Sequence, residues 1–378
     1  MNDMTEEKLS ILKKINNKIG LDNQSITKII FVYCPPKVGS TSLVSSLRIS
    51  GASKYKVLHI HDEKMLEVLT GLKGATIQDI IDFNVFLGRE IVVIDIYREP
   101  LERKMSEFFG KLASYHFNTS IQNVERYSLE RLSARFNSLF PHLANGDHYL
   151  EKYHDIVICP PSDFDHKQKY LIHNKDRLTY VKLRLRDSNE WSHILKNAIN
   201  LDVTIIKDYV RETLPLGRLY KKFKQSYLLP VNFIPVIQSD RFFNFYLSPG
   251  EQIEYLNSLR EKTTDQAQEF SRTEYKVYDL ISEQNQSIPD VEIQHYFDDG
   301  CVCQKCTMMR KLVLKDIQNG APPRSRLSHS DIITRIQGGP APAPTQPNVF
   351  QHRQPIHSQR PTPTNERRPG LTMSRYKR

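Results

Sequence analysis

Two kinds of hydrophobic pattern alternate along this chain. Ile29-Ile30-Phe31-Val32-Tyr33 and Ile91-Val92-Val93-Ile94-Asp95-Ile96-Tyr97 are short, β-branched and largely apolar, as in buried strands. Asp155-Ile156-Val157-Ile158-Cys159 and Leu178-Thr179-Tyr180-Val181-Lys182-Leu183 are further strand candidates. Elsewhere the spacing turns helical. Leu101, Met105, Phe108, Phe109 and Leu112 fall on one helical face, and Pro100 suits the first position of that helix, where a missing N–H costs nothing. A short helix is expected around Leu9 to Ile19, and the region after Trp191 reads as mainly helical. Strands alternating with helices predict an α/β fold: a P-loop-like three-layer sandwich, with a central, mostly parallel sheet flanked by helices.

The pattern stops near Ala321. Residues 321–378 carry 10 of the chain's 21 prolines, few large apolar residues and no periodicity, so they cannot bury enough surface to offset chain ordering and are expected to be disordered. The division expected is a polar lead-in over 1–27, an α/β domain over 28–282, a Cys-containing extension over 283–320 and the Pro-rich tail. The tail holds ten basic and two acidic residues, a surplus of eight out of the chain's net +10. The basic charge is therefore mostly a property of the tail. It suits non-specific polyanion contact, without the aromatic interleaving of RNA-binding segments.

No apolar run reaches the 18 or more residues of a membrane span, and Met1 to Ser10 is too acidic and polar for a secretory signal. Five cysteines, three of them clustered, do not suggest a disulfide framework. A cytoplasmic location is expected. Richness in Lys, Ile, Asn and Tyr points to an AT-rich genome, bacterial or viral; in the viral case the location is the host cytoplasm.

Two junctions carry the chemistry. Pro35-Pro36-Lys37-Val38-Gly39-Ser40-Thr41-Ser42 follows the first strand and opens a helix, so free N–H groups and the helix dipole face one point, with Lys37 adding a cation. The order is not that of a Walker A loop, where Lys directly precedes the Ser/Thr. Arg98 stands at the end of the second strand, and Ser106 lies about two turns into the next helix. Ligands bind at strand C-terminal ends in parallel sheets.

This pair of junctions resembles the PAPS-dependent sulfotransferases. Pro36-Lys37-Val38-Gly39-Ser40-Thr41-Ser42-Leu43 is similar to their 5′-phosphosulfate loop. Arg98 to Phe109 is similar to their 3′-phosphate element, in which an Arg and a Ser eight residues later hold that phosphate. His59-Ile60-His61 is similar to the His-x-His of uronyl 2-O-sulfotransferases. The closest likeness, over roughly residues 28–280, is to sulfotransferases of capsular polysaccharide synthesis and continues through Trp191-Ser192-His193-Ile194-Leu195 and Asp240 to Tyr246. The departures are Glu99 where Asp is usual, and the absence of a Lys-Gly-x-x-Gly-Asp-Trp-Lys motif, which makes a phenol or steroid acceptor unsuited.

The resemblance implies sulfonate transfer from PAPS (3′-phosphoadenosine 5′-phosphosulfate) to a carbohydrate hydroxyl, acidic polysaccharides included, with PAP as product and no metal required. Pro36, Lys37, Val38, Gly39, Ser40, Thr41 and Ser42 would cradle the phosphosulfate, Lys37 serving the leaving oxygen. Arg98 and Ser106 would hold the 3′-phosphate. A histidine would be the base. On an extended segment His59 and His61 face the same side, and His61 is favoured because Asp62 follows it; Asp62 either orients the ring or caps the next helix.

Other candidates have plainer explanations beside them. Arg103, Lys104 and Arg89 are either cations at a cleft mouth or a solvated face. Trp191 suits core packing better than stacking on a sugar or adenine ring, and Asp240-Arg241 reads as a salt-bridged helix start. His295, Cys301, Cys303 and Cys306 could hold a structural zinc or be free thiols. Two alternatives stand beside the sulfotransferase. One is a P-loop-type kinase or nucleotide-binding protein, for which no clear metal-binding carboxylate ends a strand at the right place, although Asp95 lies within a suitable strand. The other is an inactive sulfotransferase-fold protein that presents its basic tail.

Overall fold

The structure, a computed structural model, describes residues 5–23, 25–51, 54–117, 119–145, 164–207, 212, 216–266 and 271. Its centre is a five-stranded sheet of order β2-β1-β3-β5-β4. The strands are β1 (Lys28–Tyr33), β2 (Lys56–Ile60), β3 (Glu90–Tyr97), β4 (Tyr170–Lys175) and β5 (Leu178–Arg184). β1, β2, β3 and β5 run parallel, and β4 closes one edge antiparallel to β5. The expected mixed α/β architecture with a mostly parallel sheet is what the chain adopts.

Parallel pairing forces crossovers, and helices supply them. α1 (Glu6–Lys18) precedes β1; α2 (Ser40–Gly51) joins β1 to β2; α3 (Glu63–Thr70) and α4 (Ile77–Phe86) join β2 to β3. α5 (Pro100–Gly110) starts, as expected, with Pro100 in its first turn, and α6 (Ile121–Val124) and α7 (Leu129–Asn145) follow. After β5 come α8 (Trp191–Ile199), α9 (Gly217–Ser226), α10 (Ile234–Gln238), α11 (Arg241–Tyr246) and α12 (Pro249–Arg260). Leu229–Pro230 and Thr263–Thr264 form a small parallel pair, β6 and β7.

Alternation along the strands divides the core between the two faces of the sheet. Ile29, Phe31 and Tyr33 of β1 and Ile91, Val93 and Tyr97 of β3 join a large cluster with α1, α4, α5, α7 and α9–α12. Ile30, Val32, Val92, Ile94 and Ile96 join a smaller one with α2 and α8. Trp191 is core, as its setting suggested: it is 1% exposed, and its Nε1 donates to the Arg184 carbonyl at 3.0 Å. Asp240 does start α11, as a cap that accepts from the Phe243 N–H at 2.7 Å.

The expected strand 155–159, the extension at 283–320, the tail at 321–378 and the His295, Cys301, Cys303 and Cys306 set lie outside the described residues. Among the described residues no helix is long and apolar enough to cross a membrane.

Candidate active site

The sheet order creates one distinctive place. From β1 the chain goes to β2 on one side and then to β3 on the other, so the crevice between β1 and β3 opens at the strands' C-terminal ends. Both sequence junctions emerge there, and the structure joins them directly. The Arg98 Nη1 donates to the Lys37 carbonyl at 2.8 Å, and the Arg103 Nε donates to the Pro36 carbonyl at 3.2 Å.

The loop between β1 and α2 is bent twice. Lys37 has φ 69 and Gly39 φ 86. Gly39 also needs its lack of a side chain: a Cβ would lie 2.6 Å from Leu185 Cδ1 and 3.6 Å from Trp191 Cη2. Lys37 is a different matter, since a lysine in the left-handed region stores strain of about 1–3 kcal/mol, and such strain gathers at binding sites. Val38 turns its side chain into the core, so it offers the site its backbone only. Ser40 is buried, while Thr41 and Ser42 are half-buried in the first turn of α2, where helix N–H groups lack helical partners. Ser106 is buried in the second turn of α5.

β2 delivers the histidines to the same edge. His59 ends up 3% exposed and His61 partly exposed, with ring centroids 4.6 Å apart and edge to face. The His61 Nδ1 lies 2.7 Å from the Cys34 carbonyl at the end of β1. A carbonyl can only accept, so Nδ1 carries the proton and Nε2 keeps its lone pair. Desolvation pushes the His61 pKa down to about 4; Lys37 and Arg103 add to the shift, against the Cys34 carbonyl and Asp62. The ring is therefore neutral at pH 7, in the tautomer a base requires. Asp62 caps α3 by accepting from the Met65 N–H at 2.7 Å.

The neighbouring cations need correction. Arg103 and Lys104 are neither a solvated face nor rim cations. Both are buried, because α5 packs against α7 and its apolar stripe joins the large core cluster. Lys104 Nζ pairs with Glu107 at 3.4 Å. Arg89 sits at the opposite end of β3, where it donates to the Leu21 and Asn23 carbonyls and to Asn84 Oδ1.

Three features escaped the sequence. The Cys34 carbonyl fixes the His61 tautomer, Arg103 reaches the loop, and Lys182 meets Asp95 in the sheet at 2.6 Å with the Tyr180 hydroxyl on the same carboxylate oxygen at 3.1 Å. The last was implicit in two strand assignments, since Asp95 and Lys182 are register partners, but that register appears only once β3 and β5 are paired.

Chemically, a strained loop, a helix N-terminus and the cations Lys37, Arg98 and Arg103 suit a ligand rich in negative charge. A neutral imidazole beside them suits proton abstraction. Among the described residues no group of three or more His, Cys, Asp or Glu is arranged to hold a metal ion. The sequence matches no family model, no curated protein and no solved structure.

Proposed function

We propose that this chain is a PAPS-dependent sulfotransferase acting on a carbohydrate hydroxyl, with its donor held in the crevice between β1 and β3 of a P-loop-like domain. One observation carries the reading: the hydrogen bond from Arg98 to the Lys37 carbonyl, which brings the two phosphate-type junctions to one place. A dinucleotide-sized cleft is not needed for a single nucleotide carrying phosphates at both ends; two adjacent anion contacts are.

In this reading the N–H groups from Val38 to Ser42 and the hydroxyls of Ser40, Thr41 and Ser42 hold the phosphosulfate. Arg98 and Ser106 take the 3′-phosphate, which ATP lacks. The donor supplies the sulfuryl group. His61 Nε2 removes the acceptor hydroxyl proton as the new O–S bond forms and the bridging S–O bond breaks, and Lys37 stabilises the charge left on the departing oxygen. Positioning and electrostatics of this kind carry related phosphoryl transfers. His59 packs against His61 and keeps its ring in place. The acceptor class, carbohydrates with acidic polysaccharides included, rests on the sequence resemblance, since Arg103 and Lys104 are buried and Arg89 lies at the far end of β3.

A magnesium-dependent P-loop kinase would need a strand carboxylate for its metal. Asp95 is buried and committed to Lys182, which weighs against that use. The test is thermal: PAP raises the melting temperature of the wild-type protein, and Arg98→Ala removes the gain. An unchanged melting temperature with millimolar PAP sinks the proposal, and stabilisation by ATP with magnesium instead favours the kinase.

A further inference from the structure

Lys37 stands between two peptides whose carbonyls are each held by an arginine from the β3–α5 junction, Pro36 O by Arg103 and Lys37 O by Arg98. We propose that Arg103 is a positioning residue: with Arg98 it clamps the two carbonyls flanking Lys37 and so keeps the anion-binding loop in its left-handed bend. This rests on the anion-binding reading given above.

The argument is geometric. In a trans peptide the C=O and N–H point in opposite directions. Drawing the Pro36 and Lys37 carbonyls toward α5 therefore turns the N–H groups of Lys37 and Val38 away from the two guanidinium groups. Successive N–H groups presented on one side of such a bend make an anion cradle. An L residue adopts φ 69 reluctantly, so the bend needs support from outside the loop.

Arg103 is built to give that support. It is 8% exposed on a helix packed into the core, so its guanidinium has little freedom. One turn along α5, the carboxylate of Glu107 resists desolvation, which would raise its pKa, and is held down at about 2 by Lys104, Arg103 and Lys111. Arg103 thus shares the field of a carboxylate on its own helix while its Nε donates to the Pro36 carbonyl at 3.2 Å. A lysine, a point charge on a flexible stem, cannot reproduce the directed Nε–H of a planar guanidinium.

Hydrogen–deuterium exchange on the full chain tests this, with adenosine 3′,5′-bisphosphate affinity measured alongside. Arg103→Gln is expected to speed exchange of the 37–42 amides about tenfold while β3 amides are unchanged. Bisphosphate affinity falls with it, and Arg103→Lys does not restore either. In a Lys37→Asn background, where the new side chain tolerates the left-handed region, the effect of Arg103→Gln on loop exchange shrinks to about threefold or less. Unchanged loop exchange overturns the proposal. So does acceleration across the whole sheet, which would make Arg103 a core residue only, and so does an undiminished effect in the Lys37→Asn background. If the wild type binds no bisphosphate, the sulfotransferase reading fails, yet loop exchange still decides whether Arg103 braces the bend.

Discussion

The two ends of β3 use the same device for different ends. At its start, Arg89 is buried and donates to the carbonyls of Leu21 and Asn23 and to Asn84, which in turn exchanges hydrogen bonds with Asn16. Just past its other end, Arg98 and Arg103 donate to the carbonyls of Lys37 and Pro36. Both arrangements satisfy carbonyls that the ladder leaves over. The difference lies in what is gripped. Near Arg89 the partners are neutral amides and loop carbonyls that tie α1, α4 and the sheet together. Near Arg98 the gripped peptides flank a lysine in a left-handed conformation, beside a helix N-terminus and a neutral histidine. Buried arginine alone says little about function; arginine that adds cations around a strained, donor-rich bend says much more.

Separating the two ends by mutation gives the largest expected effect. Arg89→Ala strips the buried Leu21 carbonyl of its guanidinium donor, leaves Asn84 Oδ1 with Asn16 alone, and should cost about 3 kcal/mol of stability, read as a lower urea midpoint. The bisphosphate affinity of the protein that remains folded should stay within about twofold, because the site lies at the far end of the strand. Arg98→Ala should do the reverse, with a small change in midpoint and loss of the bisphosphate-induced stabilisation. If Arg89→Ala weakens bisphosphate binding as much as Arg98→Ala does, the two ends are coupled and the contrast drawn between them fails.

A second, smaller effect comes from pH. His61, beside the loop, is held down to about 4 by desolvation and by Lys37 and Arg103; His116, which packs against Phe108 in the turn after α5, is pushed to about 3 by burial and Arg135. Both folded values lie below the unfolded one, so between pH 6.5 and 5 the unfolded chain binds protons that the folded chain does not. Stability is then present above pH 6.5 and lost as pH falls. The slope is about 1.4 kcal/mol per pH unit for each histidine. His61→Asn should remove one proton from the slope and leave the other, as measured by urea titrations across this window. In turnover assays the acid limb should fall near pH 4; a limb near 6.5 would mean that His61 is not the base.

How much of this could be read beforehand depended on burial. β1, β3 and β5 stood out because strands covered on both faces are apolar along their length, and α5 because Pro100 marks its start and five large residues mark its stripe. β4 went unread: Tyr170-Leu171-Ile172-His173-Asn174-Lys175 is an edge strand, half of it polar, with no pattern to separate it from a loop. The two junctions of the site were legible because strand, loop and helix are contiguous in sequence. Arg103 and the Cys34 carbonyl were not. A cation on a helix looks solvated until its partner loop is in place, and a backbone carbonyl carries no residue signature at all.

The smallest effect concerns Asp62, which sequence left between orienting His61 and capping α3. The structure gives it the cap, and the Met65 it caps returns a contact: the His61 N–H donates to Met65 Sδ at 3.3 Å. Asp62→Ala should therefore cost about 1 kcal/mol, and Asp62→Ser, which keeps a capping oxygen, a few tenths. Turnover should hardly respond to Ser. The charge of Asp62 raises the His61 pKa only as a minor contribution, so its loss moves the acid limb slightly further down. An acid limb that moves by a full pH unit in Asp62→Ser, with stability intact, would return the orienting role to Asp62 and take the tautomer out of the Cys34 carbonyl's sole keeping.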